Sequence, residues 1–171
     1  GGALHAELRG LTDLLNRPLG RIYQKPCTAV LGDSACRFNV SATGYQAEAE
    51  VTELTAGSVL ELSGALGPDA AWFERGRLDV ISGQAIGLWA SIKQDSLRPG
   101  GRSVTLWSGI SGGLAVGDRV RLTAGCDKRM ETCRKKFNNL LNFQGFPDLP
   151  SEDWVMAVPK KGNPNTGGSL R

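Results

Sequence analysis

The sequence predicts a mainly β fold. A small antiparallel barrel or sandwich is inserted between two cysteine-bearing segments, with a short N-terminal helix and a C-terminal helix plus aromatic hook. Three observations predict it. Six short alternating segments follow one another between residues 43 and 123, each bounded by Gly, Pro, Asp or Ser clusters. The 23 glycines fall mostly between these segments, where a β domain needs its turns. Helical spacing occurs only outside them, near each end of the chain.

Leu4, Leu8, Leu11 and Leu15 recur at helical intervals, so residues 3–16 read as a short amphipathic helix that stops before Pro18. Residues 1–24 therefore form a leading helix and linker. Next comes "CTAVLGDSAC", where Gly32-Asp33 marks a turn between Cys27 and Cys36. The β segments are "YQAEAEVTEL", "SVLELSG", "RLDVISG", "IGLWASIKQ", "SVTLWSG" and "DRVRLTAG", which places the β domain at 43–123. Helical spacing returns at 127–142, where Met130, Cys133, Phe137 and Leu140 share a face that Leu141 widens. The hook "NFQGFPDLPSEDW" follows, in which Phe143, Phe146 and Trp154 supply apolar surface and Gly145, Pro147 and Pro150 set the bends. Residues 25–42 and 124–157 carry the cysteines, and 158–171 form a polar, Gly-rich tail.

The bulk properties bound the function. A chain of 171 residues can bury a core, and its hydrophobic and charged fractions are those of an ordinary globular protein. A net charge of +3 is too small to argue for nucleic-acid binding. No apolar run is long enough for a membrane-spanning helix. The chain opens on Gly1-Gly2 without a signal peptide, and reads as a fragment or processed chain whose thiols were made in a reducing compartment.

Four cysteines stand in two pairs, Cys27 and Cys36, then Cys126 and Cys133. Their spacing leaves several uses open. Two disulfides are one. Seven steps along a straight helix separate Cys126 from Cys133 by roughly 10.5 Å, beyond the roughly 7 Å a disulfide tolerates. Pairing within that couple is disfavoured unless Cys126 bends back from the helix start, while pairing between the couples stays open. A structural zinc site is another, although eight and six intervening residues are long for zinc knuckles. An iron–sulfur cubane is a larger object that accepts thiolates from points further apart, and Arg37, Lys128, Arg129 and Arg134 stand near to offset its negative charge. Cys126, placed at a helix start, would gain as a thiolate from the helix dipole. Free buried thiols remain a fourth use.

Other signals are weaker. His5 is the single histidine, and no oxyanion-type motif accompanies any cysteine, which argues against a thiol protease. Glu48, Glu50, Glu53, Glu61 and Asp79 read as solvated strand faces rather than a paired acid–base site. No strand, Gly-rich loop and helix combine into a phosphate loop. Arg134-Lys135-Lys136 reads as a solvated helix face, and Trp72, Trp89, Trp107 and Trp154 as core or subunit-contact residues.

The long pattern "QKPCTAVLGDSAC", then "AGCDKRMETCRKKFNNLLNFQGFPDLPSEDW", resembles the baseplate-hub and tail-tip family of siphophages and bacterial gene transfer agents. The resemblance covers nearly the whole chain and is strongest at the cysteine segments. The spacing of the pairs is also similar to that in the tail-tip protein L of lambda-like phages, a [4Fe–4S] protein. The resemblance implies that Cys27, Cys36, Cys126 and Cys133 are the four ligands of a [4Fe–4S] cluster, which groups 25–42 with 124–157 as one cluster lobe. It implies a non-enzymatic virion component at the tail tip, assembled in the bacterial cytoplasm as a trimeric hub ring. Its implied partners are a distal tail protein, a tip or fibre protein and a peptidoglycan hydrolase, with DNA only in transit. The hook would fold back to shield the cluster. Two other classes stay open: a small iron–sulfur redox protein, and a zinc- or disulfide-stabilised binding module.

Overall fold

The computed structural model describes residues 20, 22–64 and 69–150. The leading helix, His5, Trp154 and the tail expected from the sequence lie outside the described residues. Six antiparallel strands close into a barrel: β1 (Gln46–Thr55), β2 (Val59–Ser63), β3 (Arg77–Val80), β4 (Trp89–Arg98), β5 (Gly101–Leu106) and β6 (Arg119–Thr123). Around the barrel they run β1-β2-β5-β4-β3-β6. These are the six segments read from the sequence, and closure selects the barrel over the sandwich.

Alternation explains the interior. On β3, Leu78 and Val80 point inward while Arg77 faces water; on β6, Val120 and Leu122 point inward and alternate with Arg119, Arg121 and Thr123. Inward residues of every strand, among them Val51, Leu60, Ile92 and Val104, meet in one core that Phe73 plugs from the loop before β3. The outer face carries the charges. Glu48 bridges Arg119 at 2.5 Å and Arg121 at 3.0 Å, so this carboxylate belongs to a surface ion network.

Inside the barrel lies a pair that period-two reading does not reveal. Asp95 and Arg102 are both buried and joined at 2.6 Å, and Asp95 also accepts from the Phe73 backbone amide at 2.9 Å. A register shift between Ile92 and Gln94 reverses the alternation of β4, which turns Asp95 inward. The Arg102 guanidinium lies over the Phe73 ring, 4.9 Å from its centre. This pair anchors the 69–76 loop to the barrel.

The C-terminal helix is much shorter than expected. Helix α1 spans Met130–Lys135, and a 3-10 turn follows at Leu140–Asn142. Asn138 adopts a left-handed conformation at φ 46°, and the Asn139 amide turns back to donate to the Cys133 carbonyl at 3.0 Å. The apolar face therefore stops at Phe137, and Leu141 is fully exposed. The run Arg134-Lys135-Lys136 also divides. Arg134 and Lys135 face solvent, whereas Lys136 turns inward to the carbonyls of Trp72 and Gly125. Among the described residues no helix is long and apolar enough to cross a membrane.

Candidate functional site

The strand β6 exits through Ala124 and Gly125 directly to Cys126. A Cβ at Gly125 would meet Glu74 O at 1.9 Å and Gly76 N at 2.3 Å, so backbone touches backbone there. That contact fixes where Cys126 leaves the barrel. Cys126 does not start α1, as the sequence had suggested; the helix begins at Met130. Its sulfur instead receives the Lys128 backbone N–H at 3.4 Å, through a left-handed turn at Lys128 (φ 67°).

The first cysteine loop is held by Asp33. Its Oδ2 accepts from Val30 N at 2.8 Å, and its Oδ1 from Ala35 N at 3.0 Å and Cys36 N at 2.7 Å. These amides, that of Cys36 foremost, hold the Asp33 carboxyl below its ordinary range. The loop joins the second segment by backbone bonds, from Cys27 N to Lys128 O at 2.9 Å and from Thr28 N to Gln144 O at 3.4 Å.

All four cysteines, Cys27, Cys36, Cys126 and Cys133, line one cavity, with Ala29, Leu31, Phe137 and Phe143 as apolar walls and Lys128 and Arg129 at its margin. All four are free thiols, which leaves neither pairing of a disulfide formed. Cys133 is buried on α1, while the other three are half-buried. Burial, then the neighbouring sulfurs of Cys126, Cys27 and Cys36, push the Cys133 thiol up to about 11. Burial likewise raises Cys126, against the Lys128 N–H that opposes it. Thiols so close oppose one another's ionisation, and a cationic core between them would remove that opposition.

Among the described residues, no three His, Cys, Asp or Glu side chains come close enough to hold a single metal ion. The donor set consists of four thiols on one cavity with apolar walls and N–H donors on three of the sulfurs, the kind of surroundings that metal–thiolate groups use. Those donors are Lys128 N to Cys126, Gln144 N to Cys27 at 3.4 Å, and Asn139 Nδ2 to Cys36 at 3.5 Å.

Two expected neighbours do not reach the site. Arg37 bends to the Ser34 carbonyl at 3.3 Å, and Arg134 is exposed. The hook divides its work. Phe143 forms part of the cavity wall, whereas Phe146 packs on Tyr23 with ring centres 4.7 Å apart. Behind the cavity, Phe38, Tyr45 and Phe137 make an aromatic wedge with centroid separations of 4.7, 4.9 and 5.6 Å. Tyr45 donates from its hydroxyl to Lys136 O at 2.7 Å, which ties the lobe to the barrel. Sequence reading missed Asn139, Tyr45 and Lys136 as site supports. The polar "FNN" run after a buried Phe was the available signal.

Residues 71–153 match the family described as phage conserved hypothetical protein BR0599. Residues 1–39 match the family described as baseplate hub protein, N-terminal attachment domain. A chain from a solved structure described as the virion of a native gene transfer agent particle is 46% identical, with a TM-score of 0.79 over 95% of the present chain. These matches bear out the resemblance to phage baseplate-hub and gene-transfer-agent proteins. The chain spans 56% of the length of that solved relative. No curated protein sequence matches it. Both cysteine segments fall within matched residues, Cys27 and Cys36 in one and Cys126 and Cys133 in the other.

Proposed function

We propose that this chain is a structural, non-enzymatic part of a phage-like tail tip, in which Cys27, Cys36, Cys126 and Cys133 hold a [4Fe–4S] cluster. One observation carries the reading: two segments remote in sequence deliver four free thiols to one cavity. The cluster would staple the segment before the barrel to the helix after it, so ligation adds to folding free energy. Burial of Cys133 and the cover of Phe137 and Phe143 favour a staple over an electron carrier, which needs its centre near a docking surface.

In the assembled particle the chain would join a homo-oligomeric hub ring, a trimer by family resemblance. Its neighbours would be a distal tail protein, a tip or fibre protein and a peptidoglycan hydrolase. Assembly would occur in the bacterial cytoplasm, and DNA would meet the hub in transit.

Anaerobic purification tests the reading. The protein should be brown and carry about four iron and four sulfide per chain. Cys133→Ser should lose the colour and melt earlier. A colourless native protein with one zinc per chain would overturn the assignment.

A further inference from the structure

We propose that Asn139 is the positioning residue of the cysteine site: its carboxamide orients Cys36, donates to the Cys36 sulfur and thereby raises the reduction potential of the group the thiols hold. This rests on the cluster reading above and extends it to a side chain outside the four ligands.

Asn139 touches both cysteine segments at once. Its backbone N–H donates to Cys133 O at 3.0 Å, and its backbone carbonyl accepts from the Cys133 thiol at 3.3 Å. Its side-chain Nδ2 donates to Cys36 O at 2.7 Å and approaches Cys36 Sγ at 3.5 Å. The orientation of the amide is chemically fixed. Cys36 O can only accept, so the group facing it must be the NH2. The opposite end agrees, because Asn139 Oδ1 accepts from Asn142 Nδ2 at 2.7 Å. The left-handed Asn138 is what lifts Asn139 off the helix axis and aims it across the cavity.

The other donors to sulfur, Lys128 N and Gln144 N, are backbone groups that side-chain changes leave in place. Asn139 is a side-chain donor, and so can tune the site independently of the fold. An N–H aimed at a ligating thiolate stabilises the more negative, reduced state of a cluster and raises its potential. Removing the donor lowers that potential. Replacing it by a carboxylate lowers it further, because oxygen and negative charge then face Cys36 O and Sγ.

The test compares the native chain with Asn139→Leu, which keeps the branching at Cγ and removes the donor, and Asn139→Asp, which keeps the shape. Each is loaded anaerobically with ferrous iron and sulfide. Iron per chain, unfolding temperature and midpoint potential are read together. The expected result is a lower unfolding temperature in Asn139→Leu together with a more negative potential per bound cluster, and a potential more negative again in Asn139→Asp. Equal potentials at equal iron content overturn the proposal. A merely structural residue would move the unfolding temperature and leave the potential alone.

A second measurement separates this idea from the cluster reading. In the reduced, iron-free chain, loss of one tether should let a maleimide label Cys36 about fivefold faster in Asn139→Leu, with Cys27 unchanged. That result supports the positioning role even if the native chain takes up no iron, which would overturn the cluster alone. Equal labelling of Cys36 overturns the role of Asn139 whatever the iron content.

Discussion

Gly125 and Gly76 press backbone against backbone, with the position of a Gly125 Cβ only 2.3 Å from Gly76 N. This contact is the pivot between the barrel and the cysteine lobe, since Cys126 is the next residue. The atoms in the way are main chain and cannot rotate aside. Gly125→Ala should cost about 1–3 kcal/mol by overpacking. A lowered midpoint in chemical denaturation would register it, and an unchanged midpoint would mean the pivot can open.

The pair Asp95–Arg102 offers a sharper test. Removing one partner of a buried ion pair leaves the other charged without solvent or counterion, so Arg102→Met should destabilise by about 3–5 kcal/mol. Adding Asp95→Leu removes the stranded charge and should recover part of the loss. Recovery stays partial because Phe73 N loses its acceptor. A double variant no better than the single one would show that the charge itself was not the problem.

Tyr45 links the lobe to the barrel by one hydrogen bond to Lys136 O. Tyr45→Phe keeps the ring stack and deletes only that bond, for a loss of about 1 kcal/mol. Lys136→Met should cost more, because Gly125 O loses the Lys136 donor and Trp72 O keeps only the Gly125 N–H at 3.4 Å. Thermal unfolding of the two variants gives the order. If Tyr45→Phe proves the worse, the tie runs through the ring contacts instead.

Asp33 should make the first cysteine loop sensitive to acid. Its folded pKa lies below the ordinary value of 3.8, so its contribution is present above that value and is lost as pH falls through the folded pKa. Protection of the Val30, Ala35 and Cys36 amides relative to their intrinsic exchange should therefore fall below about pH 3.8. In Asp33→Asn the loop should be less protected at neutral pH and lose the acid step. Protection independent of pH in the native chain would count against this turn.

The sequence determined the β segments, the turn at Gly32-Asp33 and the pairing of cysteines into two couples. Short-range rules suffice for these: alternation marks a strand with one wet face, and Gly, Asp and Asn mark reversals. It also determined kinship, because the cysteine segments carry a long and specific pattern. The helix was legible as an apolar period from Met130 to Leu140, yet its end was not. Asn138 is a tolerable helix residue locally, and it leaves the helix because Asn139 finds Cys36 and Cys133.

Only the tertiary structure decided which residues meet. Closure of β1 against β6 brings residues 46 and 123 side by side, which is why segments on either side of the barrel share a cavity. The inward turn of Asp95 needed a bulge, and the inward turn of Lys136 needed two carbonyls from elsewhere in the chain. Such contacts depend on distances between remote residues, and local spacing carries no record of them.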